Sequence, residues 1–248
     1  RQGAEDGISF QPIPLSQLTL VCHSDASLCN ATEHRTQGGY IIGATDHKLN
    51  KGELAQYSPI FWKSYRLKRV VGSTLSAESQ AMRDGIAHLV WFARLLAEAI
   101  MPDTPRLDAI RQISGTAVTD AKSVYDALQS RSSPSGVQDK LCAVDLVIIR
   151  ETARRANLTL RWAPSALQLA DGLTKETPEA GDTLRGTLRQ GFYQLASEES
   201  ALKVRAAEKQ KRLQRGQERA AQASVKRSKG NDVQDENATF FTIEADST

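Results

Sequence analysis

The 248-residue chain is short of several things, and each shortage removes a class of explanation. Its three cysteines, Cys22, Cys29 and Cys142, are too scattered for a disulfide framework, and none forms a C-x-x-C pair. A structural zinc site is therefore not expected, and the thiols read as reduced and inert. Apolar runs are only a few residues long, so no membrane-spanning helix is expected. No basic-then-apolar segment opens the chain as a signal peptide would. The expectation is an intracellular protein, cytoplasmic or nuclear and not secreted. The chain begins at Arg1 rather than Met, which reads as a fragment of a longer polypeptide. Neither sign of charge dominates: 32 Lys and Arg face 29 Asp and Glu, a net of +3 that does not by itself announce a nucleic-acid binder.

What is present divides near residue 196. Residues 197–229 hold ten Lys or Arg against four acids, a net of +6, and residues 230–248 hold five acids and no Lys or Arg. The first block is rich in helix formers with a thin apolar stripe of Leu202, Val204 and Leu213, and reads as a basic helical or disordered segment. The second reads as an acidic disordered tail. Residues 1–16 read as a linker and 17–196 as one folded domain.

In that domain, residues 18–26 alternate as a strand ending at Asp25, and a second strand runs through Gly38–Ala44. Residues 44–56 read as a polar hairpin loop, and a third strand follows at Ser58–Lys68, so the three form an antiparallel meander. Residues 77–100 then switch to the helical period, with Met82, Ile86, Leu89, Ala93, Leu96 and Ile100 on one face. Ser76 is the expected N-cap, and Pro102 and Pro105 stop the helix. A strand at Thr116–Thr119 ends at Asp120, helices follow at Lys122–Gln129 and Asp139–Arg154 around a loop at 132–136, and Leu158–Trp162 is a fifth strand. A last helix containing Asp171 begins after Pro164. This order describes an α/β fold: a mixed sheet with helices packed on it. Phe61, Trp62 and Trp91 are expected in the core, and His23 and His88 in structural roles.

Four acids stand out by position. Asp25 and Asp120 end strands, Glu78 sits in the first turn of the long helix, and Asp171 stands at a helix start. Strand ends and helix starts gather at one edge of an open sheet, where ligands bind. Glu78 shares the stripe of Met82 and Ile86, so its carboxylate must be paired, solvated in a cleft or bound to metal. A bland reading is available for each: an acid complementing a helix dipole, a cap, or a turn residue.

The ordered set of motifs resembles the ribonuclease H domain of copia-type retrotransposon polyproteins. The matching stretches are Ser24-Asp25-Ala26-Ser27, Gln37-Gly38-Gly39-Tyr40-Ile41-Ile42, Trp62-Lys63-Ser64 and Ser73-Thr74-Leu75-Ser76-Ala77-Glu78-Ser79-Gln80-Ala81. They continue with Thr119-Asp120-Ala121-Lys122-Ser123-Val124-Tyr125-Asp126, Asp139-Lys140, Ile148-Ile149-Arg150-Glu151 and Gln168-Leu169-Ala170-Asp171-Gly172-Leu173-Thr174-Lys175. The resemblance spans about residues 17–195 and leaves the tail uncovered. It implies a ribonuclease H-like mixed five-stranded sheet with helices on both faces. It also implies that Asp25, Glu78, Asp120 and Asp171 are catalytic acids holding two Mg²⁺ ions, with Mn²⁺ as a possible substitute, to hydrolyse the RNA strand of an RNA–DNA hybrid during reverse transcription. The implied partners are that hybrid and the reverse transcriptase region of the same polyprotein, with no membrane and no small-molecule organic cofactor. Hard oxygen ligands suit those ions.

The sequence departs from the family in places. Asp46 to Gln56 looks like an insertion, Leu28 stands where the family often has Trp, and no His follows His88, so no histidine acid serves near Asp171. Candidate substrate contacts are Lys63, Arg66, Lys68 and Arg69 in or after the third strand, Lys122 and Ser123 after Asp120, and Asn30 and Gln37 toward 2′-hydroxyls. The alternative reading is a ribonuclease H fold kept as a non-catalytic scaffold or nucleic-acid-binding module. A three-acid integrase-type nuclease fits less well, because the second acid here is a Glu on the first long helix and the last is an Asp. No Tyr-x-Asp-Asp motif occurs, so polymerisation is not in this chain.

Overall fold

A computed structural model describes residues 7–31, 35–130, 137–207 and 210–215; the side chains of residues 29–31, 106, 107 and 178 lie outside the description. The chain divides into two compact units, Arg1–Glu198 and Glu199–Thr248. In the second, residues 199–207 and 210–215 are helical. The expected loop at 132–136 and the acidic tail at 230–248 fall outside the described residues.

The first unit is built on β1 (Leu18–Ala31), β2 (Arg35–Asp46), a one-turn helix α1 (Lys48–Lys51) and β3 (Leu54–Arg66). Then come α2 (Thr74–Ile100), α3 (Arg106–Gln112), β4 (Gly115–Thr119), α4 (Lys122–Gln129), α5 (Lys140–Arg155), β5 (Leu158–Trp162), α6 (Asp171–Thr174), α7 (Asp182–Gln190) and β6 (Phe192–Gln194). The strand order is β5-β4-β1-β2-β3-β6. β1, β2 and β3 are the expected antiparallel meander, and β4 and β5 add in parallel. The expected mixed sheet forms with helices on both faces, and it has six strands rather than five: short β6 pairs with Leu54–Gln56 at the start of β3.

Alternation along β1 assigns the two faces. Leu20 and Cys22 enter one cluster with Leu89, Ala93 and Ala97 of α2. Val21 enters the other, with Tyr57, Leu169, Leu184 and Leu195. The long helix takes the periodic stripe read from the sequence: Met82, Ile86, Leu89 and Ala93 are buried, and Leu96 and Ile100 are partly buried against them. Its N-cap is Ser73, not Ser76, because the helix starts at Thr74 and the Ser73 hydroxyl accepts from the Ser76 N–H at 3.1 Å. Ser76 is instead buried and donates to Asp139 Oδ2 at 2.8 Å. Asp139 also caps α5 through Leu141 and Cys142. One side chain therefore ties the first turn of α2 to the first turn of α5.

Two expectations about packing fail. Trp62 and Trp91 are each 52% exposed rather than core, while Phe61 packs against the α2 cluster. A register shift between Ile42 and Gly43 sets Phe61 opposite Ile42 and Pro59 opposite Gly43, an extra residue in β3. That bulge reverses the alternation. Tyr57 and Phe61, both at odd positions, thus enter opposite faces, and Trp62 is left on the far face beside Ile41 at a barely covered edge. Trp91 lies off the buried stripe of α2, against Phe92.

The apparent insertion at 46–56 is a structured corner rather than a polar loop. Asp46 accepts from the N–H groups of Lys48 at 2.8 Å and Gln56 at 3.2 Å. Gly52 takes the left-handed φ of 81° that closes α1. Leu49, the apolar residue of the turn, is fully buried in the core. Residues read as linker also lie on the body: Ser9 donates its N–H to Leu188 O at 2.8 Å, and Gln11 donates its N–H to Ser58 Oγ at 2.9 Å.

This corner yields a stability prediction. Leu49→Ala should lower unfolding free energy by about 2–5 kcal/mol, as for any large buried aliphatic side chain, whereas exposed Lys51→Ala should change it by less than about 0.5 kcal/mol. Urea unfolding monitored by circular dichroism reads the difference, and equal effects would mean that 46–56 is a dispensable insertion.

Candidate metal centre

Asp25 lies where β1 loses a neighbour. Parallel pairing of β1 with β4 stops at His23 opposite Val118, whereas pairing with β2 continues through Asp25 opposite Gly39. Asp25 is thus not the end of its strand, which runs on to Ala31. It stands at the point where the sheet parts, and Asp120 follows directly on the end of β4. α2 brings in Glu78, which is the fifth residue of the helix rather than part of its first turn, because the helix starts at Thr74. Ligand atoms of Asp25, Glu78 and Asp120 all lie within 4.8 Å of one another, the single such cluster among the described residues.

Asp171 approaches from the opposite face of the sheet to α2. Gly39 makes this approach possible: a Cβ there would sit 2.8 Å from Thr174 Cγ2 and 2.9 Å from Leu173 Cβ. The segment before α6 is held by Gln168. Its amide donates to Ser24 O at 3.0 Å, and its Oε1 lies 3.0 Å from His23 Nδ1 and accepts from the Ala170 N–H at 3.3 Å. His23, expected to be structural, serves this network: burial lowers its pKa to about 4 against the pull of Gln168, so it stays neutral. The Thr174 hydroxyl then donates to Asp25 Oδ2. The Asp171 carboxylate lies outside the three-acid group and is paired with Lys175 Nζ at 2.7 Å, which is also 3.8 Å from Asp25 Oδ2.

The electrostatics are those of anions packed too closely in too little water. Glu78 is only 5% exposed. Burial first, then the charges of Asp25 and Asp120, push its carboxyl well above the ordinary range. Asp25 is raised mainly by burial, against the opposing Thr174 hydrogen bond, with Asp120 adding to the rise. Asp171 is raised to about 6 by burial, with Asp25 and Asp120 adding and Lys175 opposing. Glu78 Oε2 and Asp171 Oδ1 are buried with no hydrogen-bond partner among the described residues. Unpaired buried carboxylate oxygens are costly, and a hard cation satisfies them. The donor set, all carboxylate oxygen, suits a hard divalent cation.

The sequence-predicted substrate residues scatter more widely. Lys63 and Lys68 line a cavity of about 470 Å³ with Arg69, Arg83, Gln80, Tyr40, Tyr65 and His88. Arg69 and Arg83 both pair with buried Asp145, at 2.5 and 2.6 Å. Arg66 is exposed at the end of β3. Gln37 donates its amide to Ser64 Oγ at 2.7 Å. Lys122 pairs with Asp126 four residues on, and Ser123 is exposed. The backbone of Asn30 is in β1, and its side chain lies outside the description. Sequence reading singled out neither Gln168, Thr174 nor Lys175 individually; the signal for Lys175 was its position four residues after an acid in a short helix. Ser165, which donates to Asp120 Oδ2 at 2.5 Å, gave none.

No family model matches the sequence, and no curated protein does. Solved structures do. The chain is similar to RNase H1 of the archaeon Halobacterium salinarum, at 12% identity and a TM-score of 0.42, over 62% of this chain and 93% of that one. It is similar to LC11-RNase H1 from a compost metagenome, at 14% identity and 0.43, over 62% and 91%. It is also similar to the RNase H domain of PFV, at 15% identity and 0.35, over 71% and 94%. In this chain the carboxylates converge at the parting of β1 and β4.

The raised Asp171 gives a pH prediction. Its folded pKa of about 6 exceeds the ordinary 3.8, so the stability tied to its proton is full below about 4 and lost as pH rises through 6. His23, neutral in the fold, tilts the opposite way over the same range, so the readable quantity is a difference between proteins. Without metal, the melting temperature of Asp171→Asn minus that of wild type should increase from pH 4 to pH 7, roughly the span between the two pKa values. A flat or falling difference would mean that Asp171 is not held against ionisation.

Proposed function

We propose that the chain is a ribonuclease H that hydrolyses the RNA strand of RNA–DNA hybrids. The observation that supports this most is the gathering of Asp25, Glu78 and Asp120 within 4.8 Å, with buried orphan oxygens on Glu78 and Asp171. Asp25, Glu78, Asp120 and Asp171 would hold divalent metal, two Mg²⁺ ions or Mn²⁺ in their place. Metal bound there supplies the Lewis acid that activates water and stabilises the leaving 3′ oxygen. The protein's own share is positional. Thr174 orients Asp25, Ser165 orients Asp120, and Gln168 fixes the segment carrying Asp171. No histidine is needed for this, and none follows His88.

The hybrid would lie along the β3 edge, with Lys63, Arg66 and Lys68 taking phosphates. Among the described residues no carboxylate pairs with Lys63 or Lys68, and the cavity they line already contains two arginines. Gln37, Asn30, Lys122 and Ser123 would complete the contacts. A solved foamy-virus protease–reverse transcriptase in complex with RNA/DNA hybrid is among the similar structures, at 16% identity and a TM-score of 0.38, over 67% of this chain and 21% of that one. We place the chain, by its motif order, in a copia-type retrotransposon polyprotein, acting beside that polyprotein's reverse transcriptase region. Among the described residues no helix is long and apolar enough to cross a membrane.

The test is cleavage of a labelled RNA–DNA hybrid with Mg²⁺, against double-stranded RNA as the control. Wild type should cut only the RNA of the hybrid. Asp120→Asn should lower the rate by at least about a hundredfold while keeping the wild-type circular dichroism spectrum. Mg²⁺ should raise the melting temperature of wild type more than that of the variant. A wild-type protein that binds the hybrid but cuts neither substrate would support the scaffold reading instead.

A further inference from the structure

Lys175 sits in a place that the metal chemistry would otherwise claim. It follows α6 directly, and its backbone N–H closes the turn on Asp171 O at 3.0 Å. Its side chain then folds back, placing Nζ 2.7 Å from Asp171 Oδ2 and 3.8 Å from Asp25 Oδ2. The ammonium therefore lies between the one acid that stands outside the three-acid cluster and the acid both groups share. Its side chain is only 34% exposed, so it is a held cation rather than a solvated surface lysine. The opposite oxygen of Asp171, Oδ1, is buried and has no hydrogen-bond partner among the described residues, and Asp171 as a whole is 8% exposed. An acid with one oxygen on an ammonium and the other unsatisfied is built for more positive charge than it holds.

Resting on the ribonuclease H reading, we propose that Lys175 is a tethered cation standing at the second metal position, and that its ammonium must leave before a second divalent ion can bind. A first ion would be held by Asp25, Glu78 and Asp120. A second ion held by Asp25 and Asp171 would compete with the ammonium for those two carboxylates. Both cannot occupy that space, because like charges a few ångströms apart in a half-buried site repel strongly. Lys175 thus separates the two affinities and keeps the protein in a one-ion state until an incoming phosphate offers the ammonium another anion. The arrangement also keeps Asp171 in position before metal arrives, since Asp171 is anchored from the chain four residues on.

The test is the stoichiometry of Mn²⁺ binding to the full chain without nucleic acid, at fixed pH, by titration calorimetry and by the electron paramagnetic resonance signal of free Mn²⁺. Wild type should bind one ion, with the second site weaker than the range measured. Lys175→Met, which keeps the length and removes the charge, should acquire a second site at least about tenfold tighter than in wild type. Lys175→Arg should remain a one-ion protein. Paired Mn²⁺ ions also couple magnetically, so the variant's bound-ion spectrum should broaden where the wild type's does not. Two ions of similar affinity in wild type, or no gain in Lys175→Met with its fold intact by circular dichroism, would overturn the proposal while leaving the metal centre standing. Should Lys175→Met not fold, Lys175→Gln is read the same way. A wild type that binds no Mn²⁺ would overturn this proposal and the metal-dependent reading of the site together.

Discussion

Carboxylates crowded into a poorly hydrated corner repel one another, and this molecule places three of them within 4.8 Å with a fourth alongside. No stable fold collects such charge by accident of packing, because each buried anion without a partner costs several kcal/mol. The surrounding structure is arranged to tolerate it. Burial and mutual repulsion raise the pKa values of Glu78, Asp25 and Asp171, while Thr174 and Lys175 supply the compensating donors. These compensations are incomplete, as the orphan oxygens of Glu78 and Asp171 show. The remaining deficit is one that a divalent cation removes.

The scaffold that meets this constraint is the parting of two parallel strands. β1 continues beyond the last residue it shares with β4, so Asp25 faces a gap rather than a neighbour. Around that gap the molecule spends several otherwise unexplained features. Gly39 lets α6 lie on β2, Gln168 ties it to Ser24 and His23, and Ser76 with Asp139 locks the turn that carries Glu78. Asp145, buried between Arg69 and Arg83, holds the chain leading into α2 to α5. Three polar networks thus hold the two helices, α2 and α6, whose acids Glu78 and Asp171 would otherwise move apart.

Much of this was readable in the sequence, for identifiable reasons. The period of Met82, Ile86, Leu89 and Ala93 is strong because α2 is long and one-sided, and Lys122–Gln129 and Leu158–Trp162 were bounded correctly by their flanking turns. Asp120 and Asp171 were legible because they stand at a strand end and a helix start, whereas Asp25 lies within β1 and Glu78 beyond the first turn of α2. What escaped was set by tertiary context. The bulge at Ile60 reverses the alternation of β3 and exposes Trp62, and nothing in the local pattern announces it. Leu49 hides in a segment that is otherwise polar, so its burial is invisible to composition. β6 has three residues, too short for alternation to register, and exists because β3 offers it an edge. Lys175 was legible as a letter in a motif but not as an ion, because only the fold brings Asp25 to it.

The most direct test of the account is to find the cation. Crystals of the full chain soaked in millimolar Mn²⁺ and measured near the manganese absorption edge give an anomalous map that locates the ion without assumptions about the chemistry. The expected result is a peak bounded by carboxylate oxygens of Asp25, Glu78 and Asp120, at a metal–oxygen distance of about 2.0–2.3 Å. An anomalous peak elsewhere, or none at this cluster with all three side chains ordered, would contradict it.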